Sequence, residues 1–81
     1  MTDTRLDLRG LKCPLPALKT RKALARLDAD QVLIVECTDP LAEIDIPHVV
    51  AETGHMLEGA MRNDDVLVFR IRTRAASDKG R

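Results

Sequence analysis

Four consecutive aliphatic residues, Val32-Leu33-Ile34-Val35, stand near the middle of an 81-residue chain and leave neither side of the segment polar. In an extended strand Leu33, Val35 and Cys37 share one face, and Val32, Ile34 and Glu36 share the other. Apolar residues on both faces place such a strand inside a sheet or under good cover. The flanking sequence supplies the cover. Upstream, Pro16, Ala17, Thr20, Ala23, Leu24 and Leu27 fall on one face at helical spacing, with Lys19, Lys22 and Arg26 on another. Downstream, Ile46, Val49, Val50 and Thr53 make a second helical stripe, which Gly54 closes.

The remaining segments complete the order. Arg5-Leu6-Asp7-Leu8-Arg9 alternates as a half-buried strand with Leu6 and Leu8 inward, and Gly10 ends it. The first helix starts at Pro14, since proline is tolerated at a helix start, and Asp28-Ala29-Asp30 closes it. Asp39-Pro40 and Asp45-Ile46-Pro47 are two successive helix-start signals; the sequence predicts a loose turn over 40–44 and the main helix over 45–53. His55 to Arg62 is a weaker strand interrupted by Gly59, and Asn63-Asp64-Asp65 is turn chemistry for a hairpin. Val66 to Arg72 is a clear strand with Leu67, Phe69 and Ile71 inward. The order β-α-β-α-β-β predicts an α+β domain, a two-layer α/β sandwich with a mixed four-stranded sheet and both helices on one face. Residues 1–73 read as one domain. From Arg74 to Arg81 the chain turns small and polar, and a disordered tail is expected.

No apolar run approaches the ~20 residues that span a bilayer, and the first five residues lack a signal-peptide core. A cytoplasmic setting is the default, and there two cysteines 24 positions apart read as free thiols. The formal charge of zero conceals a dipole: residues 1–26 hold seven basic against two acidic side chains, and residues 27–65 hold one against ten. That pattern suits docking to a charged partner.

The chemistry concentrates in Asp7-Leu8-Arg9-Gly10-Leu11-Lys12-Cys13-Pro14-Leu15-Pro16. A thiol here sits where a strand turns into a helix. Read as the N-cap of that helix, Cys13 lies at the positive end of the dipole, with Arg9, Lys12 and Lys19 nearby. Pro14 and Pro16 remove two backbone donors and leave the Leu15 N–H as the local one. These features predict an accessible sulfur with the thiolate favoured, the state that attacks and leaves in sulfur exchange. Cys37, on the inward side of the strongest strand, reads as a core residue. His48 and His55 supply no close-spaced ligand pair, so no metal and no other cofactor is expected.

The run Asp7-x-Arg9-Gly10-x-x-Cys13-Pro14-x-Pro16 resembles the signature of the TusA/SirA-like sulfur-carrier family, and Asp39-Pro40, Asp45-Ile46-Pro47 and Gly54-His55 follow in family-like order. The resemblance implies a sulfur carrier with sulfurtransferase-type chemistry. Sulfane sulfur would be held as a persulfide on Cys13 and relayed to an acceptor protein thiol, as in tRNA thiolation or sulfur oxidation. A cysteine desulfurase or rhodanese-like protein would be the donor. It further implies a fold whose last strand lies inside the sheet. In this frame Asp7, Arg9, Gly10, Lys12, Pro14 and Pro16 support the loop, and Lys19, Lys22 and Arg26 offer a docking face for acidic partners. A monomer is expected, with no direct nucleic-acid contact: a single aromatic provides almost no platform for base stacking. The rival readings are a nucleic-acid- or protein-binding regulatory module and a thiol redox sensor.

Overall fold

In the computed structural model, which describes residues 3–74, the chain forms six elements: β1 (Asp3–Leu8), α1 (Leu15–Arg26), β2 (Val32–Cys37), α2 (Ala42–Thr53), β3 (Met56–Asn63) and β4 (Val66–Arg72). The sheet runs β1-β2-β4-β3, with β1 parallel to β2 and β4 antiparallel to both neighbours. The last strand is therefore interior, and β2 is interior beside it. The second strand–helix–strand unit still returns parallel, but β4 lies between β2 and β3. Among the described residues no helix is long and apolar enough to cross a membrane.

Both helices cover one face. Helix α1 packs on β1 and β2, α2 packs on β3 and β4, and the helices pack on each other. Leu8, Leu33, Val35, Cys37, Leu67, Phe69 and Ile71 from the sheet meet Leu24, Ala42, Ile46, Val49 and Val50 from the helices. The α1 face is the predicted one: Pro16, Thr20 and Leu24 are buried, with Ala17, Ala23 and Leu27 half-buried at its margins. Gly54 ends α2 in the left-handed conformation (φ 81°), the state glycine adopts without a Cβ clash, and the His55 N–H closes back on the Val50 carbonyl at 3.1 Å.

Among the described residues the opposite face has no second layer, yet Val32 and Ile34 are only 5% and 8% exposed there. Their cover is charged. Glu58 accepts from Arg70 and Arg72, Arg5 donates to Glu36 at 3.0 Å, and Arg70 lies 3.7 Å from Asp3. Arg5 and Arg70 stand opposite Ile34, and Arg72 stands opposite Val32, so long charged side chains flank both aliphatic residues.

Three details depart from the sequence reading. Helix α2 begins at Ala42, not Asp45, and carries Pro47 inside it. Asp39 is the reason: its Oδ1 accepts the Leu41 N–H at 3.1 Å and its carbonyl accepts the Ala42 N–H at 2.9 Å, so the first turn is organised before Asp45. The end of the domain is also tied more firmly than composition shows. Thr73 is 1% exposed; its hydroxyl donates to the Asp28 carbonyl and accepts the Gln31 N–H at 2.9 Å, knotting the end of β4 to the α1–β2 loop. Of the tail, Arg74 donates its N–H to Nδ1 of His55 at 3.0 Å; the rest of that segment lies outside the described residues.

Thr20 is fully buried in α1, and among the described residues its hydroxyl has no hydrogen-bond partner. An orphaned buried hydroxyl costs about 1–3 kcal/mol. Thr20→Val keeps the shape and removes the polar atom, so the melting temperature is expected to rise by several degrees, read by circular dichroism. An unchanged or lower value would show that the hydroxyl is satisfied.

Candidate active site

The site lies where the carboxyl ends of the parallel pair β1 and β2 feed the starts of both helices. In such sheets ligands meet the crevice beyond the strand ends. Gly10 leaves β1 at φ 87°, a conformation that side chains rarely adopt, and donates its N–H to Oγ1 of Thr38 at 2.8 Å. Leu11 returns its N–H to the Leu8 carbonyl at 3.2 Å. This turn and the Thr38–Pro40 segment enclose a cleft of about 350 Å³ lined by Gly10, Leu11, Lys12, Thr38, Asp39 and Pro40.

Cys13 follows at the rim, exposed, joined to Pro14 through a cis peptide bond. It is not the N-cap. Pro14 holds that position, with Pro16 in the first turn, and the Leu15 N–H donates to the Lys12 carbonyl at 2.8 Å. The predicted local donor to the sulfur is thus already used. Cys13 is held instead from the second strand–helix unit. Its backbone N–H donates to Oδ2 of Asp39, and its thiol donates to Oδ2 of Asp45 at 3.2 Å. Asp39 therefore binds both loops at once, one oxygen on Leu41 and the other on Cys13.

These contacts reverse the expected electrostatics. The hydrogen bond to Asp45, partial desolvation and the negative charges of Asp45 and Asp39 raise the Cys13 thiol above its ordinary value. Of the cations named from the sequence, Lys12 stays in the loop and lines the cleft, whereas Arg9 is drawn away from it. Arg9 clasps Asp7 through Nε (2.8 Å), Nη2 (3.0 Å) and its own N–H (3.1 Å), and reaches Glu36 at 4.0 Å on the helix-free side of the sheet. That clasp lowers the Asp7 carboxyl to about 2. Lys19, Lys22 and Arg26 line a cleft of about 240 Å³ with Leu6 and Ala23, along the flank of α1 above the edge strand β1. With about 1.5 Å of rise per residue, this strip starts near Cys13 at Lys19 and runs away from it toward Arg26. Arg21 turns to the other flank and pairs with Glu52 of α2.

Cys37 lies fully buried in the core, where burial pushes its thiol up to about 11. His48 pairs with Glu52 at 3.4 Å, and Nδ1 of His55 accepts from Arg74. Neither histidine is among the groups that hold Cys13. The residues that sequence reasoning did not assign to the site are Thr38, Asp39 and Asp45. The two acids stand in Asp39-Pro40 and Asp45-Ile46-Pro47, which the sequence offers as helix starts and as family-like features; nothing in the sequence singles out Thr38.

The rim is apolar. Of the six large hydrophobic side chains exposed among the described residues, four (Leu15, Leu18, Leu41 and Ile44) stand at the starts of the two helices that flank Cys13. Asp39→Ala strips the acceptor from two N–H groups at once. We expect a loss of about 1–2 kcal/mol, as for a removed helix cap, and faster amide exchange at Cys13 and Leu41. Unchanged exchange there would show that Asp39 does not join the loops.

The structure is thus a small two-layer α+β fold with an exposed thiol on a strand–helix corner, held by carboxylates from the neighbouring unit. The sulfurtransferase TusA family model matches residues 4–73, and the chain belongs to that family. It is similar to a putative sulfur carrier protein of Neisseria meningitidis, at 41% identity over 88% of this chain and 96% of the relative. It is also similar to the sulfur carrier protein TusA of Pseudomonas entomophila, at 37% identity over 90% and 91%, and to a putative sulfur carrier protein of Bacillus subtilis, at 37% over 86% and 93%.

Proposed function

We propose that this protein is a sulfur carrier that takes sulfane sulfur as a persulfide on Cys13 and relays it to an acceptor protein thiol. The observation that carries the reading is the presentation of Cys13: exposed on a turn fixed from both strand–helix units, while the second thiol is sealed in the core. Family membership supports the same chemistry.

The exchange needs only sulfur nucleophiles. The Cys13 thiolate attacks the outer sulfur of a donor persulfide; the donor S–S bond breaks, and the donor leaves as a thiolate. An acceptor thiolate then attacks the outer sulfur on Cys13, and Cys13 departs as a thiolate. The sulfane sulfur moves without net oxidation or reduction. The donor would be a cysteine desulfurase or a rhodanese-like protein. The apolar rim of Leu15, Leu18, Leu41 and Ile44 gives the partner a dry contact around the reacting atoms. Lys19, Lys22 and Arg26, none of which pairs with an acid among the described residues, provide the docking strip for an acidic surface.

The test is to load the full chain with an enzymatic persulfide donor and locate the added sulfur by peptide mass mapping. One sulfur atom on Cys13 and none on Cys37 is the expected result. Sulfur on both cysteines alike, or on neither, overturns the reading.

A further inference from the structure

We infer that Asp45 is a positioning residue for sulfur exchange at Cys13, docking the thiol in the empty carrier and turning the persulfide outward in the loaded one. The second half rests on the sulfur-carrier reading; the first stands on geometry alone.

The thiol donates to Oδ2 of Asp45 at 3.2 Å, and this contact crosses from the β1–α1 loop to the first turn of α2. A carboxylate is favoured there by the positive end of the helix dipole. The charged groups facing Cys13 are Asp45 from α2 and Asp39 from the β2–α2 loop, with Lys12 adjacent in its own loop. Among the described residues no cation pairs with either carboxylate. Asp45 is half-buried and its carboxylate reaches the sulfur, so its charge acts on the thiol directly.

An S–H group is what this arrangement accepts. When Cys13 attacks a donor, its proton goes to water, the new S–S bond forms as the donor bond breaks, and the departing donor thiolate takes up a proton. The carrier now ends in a sulfur that bears negative charge. That anion has no hydrogen to offer Asp45, and two like charges within hydrogen-bonding distance repel. Rotation about the Cys13 side chain moves the terminal sulfur toward the apolar rim, where an acceptor thiol arrives. The carboxylate thereby distinguishes the empty from the loaded side chain.

The sign of the pH dependence follows. With the thiol raised by Asp45, hydrogen bond first, the docked S–H form is complete below the ordinary cysteine value and is lost only as pH rises through the raised one. Alkylation of native Cys13 by iodoacetamide, followed against pH with mass mapping, should therefore inflect above a free cysteine. Asp45→Asn should move the inflection down and raise the rate at neutral pH roughly three- to tenfold. Asp45→Glu, which keeps the charge, should stay within about twofold of the parent. Superimposed profiles for the parent and Asp45→Asn overturn the inference, as does an Asp45→Glu variant that moves as far as Asp45→Asn.

If Asp45→Asn does not fold, the parent decides: the Asp45 carboxyl ¹³C resonance should shift with the Cys13 titration and lose that shift in Cys13→Ser. A resonance blind to Cys13 overturns the inference. For the second half, sulfur preloaded on Asp45→Asn should pass to dithiothreitol several-fold more slowly than from the parent, and equal rates refute it. Failure of persulfide to form on any variant would refute the carrier reading and the second half with it, while the alkylation profiles would still decide the hold on the thiol.

Discussion

Replacing Cys13 with serine is expected to abolish sulfur loading while leaving the fold intact. A hydroxyl at neutral pH is almost wholly protonated and is a far weaker nucleophile toward sulfur than a thiolate, so no slow residual transfer through position 13 should survive. Cys37 cannot substitute, because it is sealed between the helices and the sheet with its thiol pushed up to about 11. The melting temperature should barely move, because the side chain is exposed and serine still donates to Asp45. Mass mapping after donor treatment is the measurement. A Cys13→Ser protein that still accepts one sulfur would place the chemistry elsewhere.

The second large effect is on stability. Phe69 is the sole aromatic residue, 1% exposed, and lies on β4 opposite Val35 on one side and Ala60 on the other. Phe69→Ala removes most of a large buried side chain and leaves a void between the helical layer and the two central strands. Such changes cost about 3–5 kcal/mol, against roughly 4–12 kcal/mol of total stability at this length. The urea midpoint should fall by a quarter or more. Phe69→Leu, closer in volume, should cost less than about 1.5 kcal/mol. Equal midpoints for the two variants would show that the core closes around the gap.

What could be read in advance followed locality. The helical face of α1, the inward residues of β4 and the hairpin at Asn63-Asp64-Asp65 are written in spacings of a few residues, and the fold followed from them. The interior place of the last strand came from the family resemblance rather than from its pattern. The loop was legible in composition but not in charge. Arg9 and Lys12 are sequence neighbours of Cys13, yet the groups that touch it come from 26 and 32 residues away. Two prolines separated by one residue also blur a helix start by a residue, since both fit the first turn. Thr73 escaped notice for the same reason as Asp45: its partners sit 42 and 45 residues back.

The grip on Cys13 is assembled from two successive strand–helix units, and neither unit contains it alone. In an unfolded or half-synthesised chain the acids are distant on average and the thiol reverts to ordinary cysteine behaviour. Folding therefore quiets an exposed sulfur without hiding it. Electrophiles and oxidants would attack the immature chain at this position more readily than the finished one. The exposed cysteine thus reports on completed assembly, a property usually associated with buried side chains.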